Sequence, residues 1–193
     1  MSWLIIAVIA LAGATTYQFF HGRRINLLLM RHYLGEIEKL IKPEDRNYVW
    51  IGGYVGYRAY YRKGSRKYEF ILTLLPRQSL LYFPISLITS RHDKLILKVS
   101  GKYKKFHAVQ KGYFRSRKFD GYTEISAGGA EFNVRGSDAA IERFKKTVDK
   151  LEKPENIKEV ELGDTAYLMM KPDVEISNDL KAVLEFIESL EKG

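Results

Sequence analysis

The sequence predicts an α+β domain with a mainly antiparallel sheet, carried on an N-terminal transmembrane helix. Three observations lead there. An uncharged run opens the chain, short β-rich runs divided by glycine-containing turns fill its middle, and helical apolar stripes follow. No repeat of about 20 to 50 residues interrupts this order.

The run from Trp3 to Phe20, WLIIAVIALAGATTYQFF, holds no charged residue. As a helix at ~1.5 Å per residue it would measure roughly 27 Å, close to the ~30 Å hydrocarbon thickness of a bilayer. No Lys or Arg precedes it, whereas Arg23, Arg24 and Arg31 follow. The positive-inside rule therefore places the amino terminus outside and the bulk of the chain in the cytoplasm. A cleaved signal peptide is the alternative, with Ala12-Gly13-Ala14 as its cleavage site. Against it stand the missing basic n-region, the aromatics Tyr17, Phe19 and Phe20 at interfacial depth, and the arginines as a stop signal. The expected division is an anchor over residues 1–21 and a cytosolic domain over 22–193 with an acidic C-terminal helix.

Apolar content of 46% and charged content of 28% fit an ordinary folded domain and not a disordered chain. There is no cysteine, which removes disulfides, thiolate metal sites and cysteine nucleophiles and fits a reducing compartment. The net charge of +9 is unevenly spread. Residues 1–148 carry 26 Lys and Arg against 11 Asp and Glu, and residues 149–193 carry 6 against 12. A basic body with an acidic tail asks for an anionic partner: nucleic acid, ribosomal RNA or lipid headgroups.

After the anchor, Ile25, Leu28, Leu29, Leu34, Ile37, Leu40 and Ile41 recur at helical spacing until Pro43, so a helix continues from the anchor or bends away at His21-Gly22. Tyr48 to Tyr61 and Lys67 to Leu75, split by Arg62-Lys63-Gly64-Ser65, read as a hairpin. Gly52, Gly53 and Gly56 mark a bulge or close approach; without a Lys-Ser/Thr ending they make no phosphate loop. Ser79 to Ile88, with Pro84 inside, is either a buried short helix or a broken segment touching the membrane surface. Lys94 to Ser100 alternates as a strand, Lys111 to Ile125 is turn-rich, and Ala130 to Val134 follows a Gly128-Gly129 turn. Ser137 caps a helix reaching about Glu152, Val160 to Leu162 and Ala166 to Met170 are short strands, and Ser177 caps a last helix.

The chain offers no catalytic constellation. His21, His32, His92 and His107 are scattered without metal-ligand spacing, and no serine sits in a GxSxG setting. It is therefore read as non-enzymatic, with no cofactor, metal or small-molecule substrate. The functional signal is basic. Between Lys98 and Lys118 lie Lys102, Lys104, Lys105, Lys111, Arg115 and Arg117 with no acid, interleaved with Tyr103, Phe106, Tyr113 and Phe114. A second cluster, Arg58, Arg62, Lys63, Arg66 and Lys67, falls on the hairpin turn. Such residues neutralise phosphates while exposed rings stack on bases or lie in a lipid interface. The bland alternative is a solvated loop whose aromatics point into the core.

The order of a membrane helix, a second helix, LLPRQSLLYFPISLITSRHDKLILKV (Leu74 to Val99) and EFNVRGSDAAIERFKKTVDKLEKP (Glu131 to Pro154) resembles the cytosolic domain of the calumin family, coiled-coil-containing endoplasmic reticulum proteins of the multipass translocon. The chain departs from that family in having no acidic region before the membrane helix and no long basic coiled coil after the domain. The resemblance implies a factor beside the protein-conducting channel that binds translocon subunits or the ribosome and assists membrane-protein insertion. The alternative is a membrane-surface protein whose basic aromatic loop meets anionic lipid.

Overall fold

The computed structural model describes residues 2–113 and 119–192. Its first element, α1 (Ser2–Ile41), is one unbroken 40-residue helix long and apolar enough to cross a membrane. It runs through His21-Gly22 uninterrupted, so anchor and second helix are one continuous helix. Residues 2–17 are exposed, and Gln18 is the first the domain partly covers. The buried face beyond is Gly22, Asn26, Met30, Tyr33, Ile37 and Ile41, spaced by three and four as a helix requires. Leu28, counted into the stripe from hydrophobicity, is exposed instead.

The sheet has nine strands in the order β1-β2-β3-β4-β9-β8-β5-β7-β6, every pair antiparallel. β1 (Asp45–Trp50), β2 (Gly56–Lys63), β3 (Arg66–Thr73) and β4 (Lys94–Ser100) form a meander. The aromatic run expected as one strand is two, because Gly52 and Gly53 take φ of +59° and +70°, which turns the chain between β1 and β2. The hairpin at Gly64-Ser65 is as expected, with Lys63 opposite Arg66. α2 (Tyr82–Thr89) links β3 to β4. β5 (Phe106–Gln110) and β6 (Thr123–Ala127) lie in stretches where no strand was expected, while β7 (Ala130–Arg135) was. β8 (Ile157–Leu162) and β9 (Thr165–Met170) are the central strands, returning between β4 and β5.

One face of the sheet carries the core. Tyr57, Ala59 and Tyr61, then Phe70 and Leu72, then Leu95, Leu97 and Val99 alternate inward beneath α1 and α4 (Ile176–Ser189). α3 (Asp138–Val148) brings Phe144 against Phe106, Phe132 and Phe186 at ring-centroid distances of 5.2, 5.4 and 5.5 Å. Ser137 caps α3 as expected, accepting from the Ala140 amide, but the helix stops at Val148, short of Glu152. Ser177 is no cap: the residue before α4 is Glu175, and Ser177 lies inside the helix.

Candidate functional site

Three residues one helical turn apart fasten α1 to the domain. The Gln18 amide donates to the Arg77 carbonyl at 2.6 Å. Gly22 lies so close to the same loop that a Cβ there would stand 2.1 Å from the Arg77 oxygen. Asn26, fully buried, donates to the carbonyls of Tyr54 at 2.8 Å and Leu75 at 2.9 Å and accepts from Arg77 at 3.0 Å. The Arg77 guanidinium grips Asp93 with two bonds of 3.0 and 2.8 Å, and Asp93 also takes the Leu75 amide at 2.7 Å. The Gln18 and Asn26 amides, both terminal nitrogens of Arg77 and the Leu75 amide all meet acceptors, and buried charge-assisted bonds of this kind oppose hinge motion at the joint.

The joint sets what lies beside the end of the apolar run. Thr15, Thr16, Phe19 and Phe20 share a groove with Gln78, Ser79, Leu80 and Leu81. Tyr54 touches Phe19 edge-on at 6.2 Å, and the Arg23 guanidinium sits over its ring at 4.4 Å. α2, entered from Leu81, is largely uncovered: Leu81 is 77% exposed and Ile88 80%, with Tyr82, Ile85 and Leu87 also exposed and only Ser86 buried. Of the two readings of this segment, the structure keeps the helix of the first but not its burial, and the break expected by the second is absent. Trp50, 64% exposed, closes the strand that leads into the Tyr54 turn.

The opposite end of the domain is basic. Glu38 marks its level on α1, bonded to Tyr48, to Tyr61 at 3.4 Å and to Arg46 at 3.2 Å. Because β3 and β4 are antiparallel, with Thr73 opposite Lys94 and Tyr68 opposite Val99, the β2–β3 turn and the start of the β4–β5 loop emerge together. The two basic clusters thus converge there. Lys63, Lys67, Lys102, Lys104 and Lys105 are exposed, and among the described residues none is held in an ion pair. Arg62 and Arg66 stand at the same end but are occupied, the first by Asp45 at 3.3 Å and the second by Glu188 and Glu191.

Lys111 is elsewhere. β5 separates it from Lys105, and it binds Glu124 at 2.9 Å and Glu131 at 3.4 Å, whose hydrogen bonds hold its ammonium above the usual lysine range. Arg115, Arg117, Lys118 and Phe114 fall outside the described residues. Of the interleaved aromatics, Tyr103 and Phe106 are core residues, as the bland alternative held.

Sheet pairing also assembles one cluster that spacing along the chain concealed. His107 receives or donates at both ring nitrogens, to Tyr122 at 2.6 Å and to Glu159 at 3.0 Å, and the ligand atoms of His107, Glu159 and Glu161 lie within 4.8 Å of one another. Both nitrogens are engaged, so the ring could bind a metal only by giving up one of these bonds. The Glu159-x-Glu161 alternation was the available sign.

No family model matches the chain, and no curated protein matches it.

Proposed function

We propose that this is a single-pass membrane protein whose domain faces the cytoplasm and binds an anionic partner, the RNA of the ribosome beside the translocon, to assist membrane-protein insertion. The observation that carries the reading is where the unpaired lysines stand. From Phe20 to Glu38 α1 advances by roughly 27 Å, and β4, an independent measure of the same height, runs about 23 Å from the Asp93 joint to Ser100. The Debye length at physiological salt is about 8 Å, so headgroup charge is screened out at that height. Lys63, Lys67, Lys102, Lys104 and Lys105 therefore serve a partner standing off the bilayer. Lipid contact through this loop, the alternative reading, is disfavoured by the same distance. The resemblance to the calumin family supplies the translocon.

The test is ribosome cosedimentation of the full chain in mild detergent across a salt series. Changing the five lysines to Ala should weaken association and flatten its log-log salt dependence by up to about 0.7 to 0.9 per charge removed. Their exposure leaves the fold intact. An unchanged slope would refute the reading.

A further inference from the structure

We infer that α2 is an interfacial membrane helix: the protein enters the leaflet that α1 leaves a second time, with Leu81, Tyr82, Ile85 and Ile88 at the boundary of headgroups and acyl chains. The inference rests on α1 crossing the membrane and is independent of what the far end binds.

Depth decides the occupant. Leu80 and Leu81 share their groove with Thr15 and Thr16, which lie four and five residues inside the end of the apolar run at Phe20. At ~1.5 Å per residue that is about one helical turn below the last apolar level. If α1 spans the bilayer, the entry to α2 lies within its outer layer. The Gln18 and Gly22 contacts with Arg77 hold it there, and the domain cannot lift this loop without breaking the joint.

The segment is also built for that solvent. From Leu74 to His92 there is no acidic residue, and of its two arginines Arg77 is neutralised by Asp93 while Arg91 is exposed beyond the C-terminal end of the helix. Leu81, Ile85 and Ile88 follow one another at spacings of four and three, a single helical face. Three of its hydroxyls bond within the segment. Ser86 Oγ donates to the Phe83 carbonyl at 2.7 Å and Thr89 Oγ1 to the Ile85 carbonyl at 3.1 Å, while Ser79 Oγ accepts the Tyr82 amide at 3.2 Å. The Ser90 and Arg91 amides close the other end on the Ser86 carbonyl at 2.8 and 3.1 Å. Polar groups satisfied within the segment are what a lipid environment demands. Pro84 falls in the first turn, where its missing amide proton breaks no helical bond. Tyr82 and Trp50, both exposed, add amphipathic rings of the kind that settle at headgroup level.

The cysteine-free chain permits a direct test. Single variants Ile85→Cys, Ile88→Cys, Val8→Cys and Lys146→Cys carry an environment-sensitive fluorophore, and the full chain is reconstituted in phosphatidylcholine–phosphatidylglycerol vesicles. Lipids with a nitroxide at shallow or deep positions quench from the membrane, and iodide quenches from water. Expected are blue-shifted emission at residues 85 and 88 with strongest loss to shallow nitroxides, strongest loss to deep nitroxides at residue 8, and loss to iodide alone at residue 146. Iodide quenching at 85 and 88 with residue 8 in lipid would overturn the proposal. So would shielding from both quenchers, which would mean a second copy of the chain covers α2. Residue 8 in water would overturn the spanning reading on which the proposal depends.

Discussion

Gly22→Ala sets two effects of opposite sign against each other. In an exposed helix interior the substitution stabilises by about 0.8 to 1.0 kcal/mol, since glycine has more chain entropy to lose. At Gly22 the new methyl would stand 2.1 Å from the Arg77 carbonyl oxygen and 2.5 Å from the Gln78 amide nitrogen, both main-chain atoms that no rotamer change can move. Overpacking of this kind costs roughly 1 to 3 kcal/mol. Moving the loop also strains the bonds it makes to Gln18 and Asn26. Steric cost therefore wins. Gly35, further along the same helix, has nothing within 4 Å of the place a new methyl would take, so Gly35→Ala keeps the helix gain alone. The helix gain is common to both, so the two variants should differ by the steric cost, about 1 to 3 kcal/mol, or roughly 2 to 12 °C in Tm for a domain of this size. Thermal unfolding in mild detergent, followed by near-UV circular dichroism, measures both. If Gly22→Ala is as stable as Gly35→Ala, the close approach of α1 to the Arg77 loop is wrong.

Asp93→Ala leaves the Arg77 guanidinium without its carboxylate and the Leu75 amide unsatisfied, and should cost about 3 to 5 kcal/mol by urea unfolding; Lys39→Ala, removing an exposed pair with Glu36, should leave the urea midpoint nearly unchanged, and equal losses would refute the assignment. Burial pushes the Tyr167 phenol up to about 12, with the Glu159 charge second. Its pKa is raised above the ordinary value near ~10, so the stability it contributes is present below pH ~10 and is lost as pH climbs through about 12. Tyr167→Phe should therefore flatten the fall in stability over that window, and parallel losses in parent and variant would refute this.

The parts of the fold legible in the sequence are those that apolar periodicity marks: α1, the β2–β3 hairpin, β4, β7, and the stripes of α3 and α4. The joint was not legible, because its working residues are the ones a count of apolar positions skips. Gly22, Asn26 and Gln18 continue the buried face of α1, yet none is hydrophobic, and their role depends on Arg77 and Asp93, far along the chain. β5 escaped notice because it is five residues long and runs straight out of a lysine-rich loop. The central place of β8 and β9 could not be read at all, since chain order says nothing of a hairpin that returns between earlier strands. The convergence of the two basic clusters was legible in principle. In an antiparallel meander, the turn after β2 and the end of β4 share an end by parity of strand direction.

A rigid joint has a consequence for the choice of partner that composition alone cannot supply. On a flexible linker, a domain with five unpaired lysines would turn over and lay them on anionic lipid, where each is worth about 1 kcal/mol near the surface. If α1 spans a bilayer, the Gln18, Gly22 and Asn26 contacts, with the buried Met30, Tyr33, Ile37 and Ile41 of the same unbroken helix behind them, oppose that rotation. Loosening the joint should thus let the domain tilt and bring the lysines closer to lipid. A fluorophore at Lys104→Cys should be untouched by shallow nitroxide lipids in anionic vesicles when Gly22 is present, and quenched by them at low salt in the Gly22→Ala background. Because the new contact would be electrostatic, raising the salt should reverse it. Quenching with Gly22 intact would show that the far end already reaches the bilayer. Silence in both backgrounds, with Gly22→Ala measurably destabilised, would show that something other than this joint keeps the basic end away from lipid.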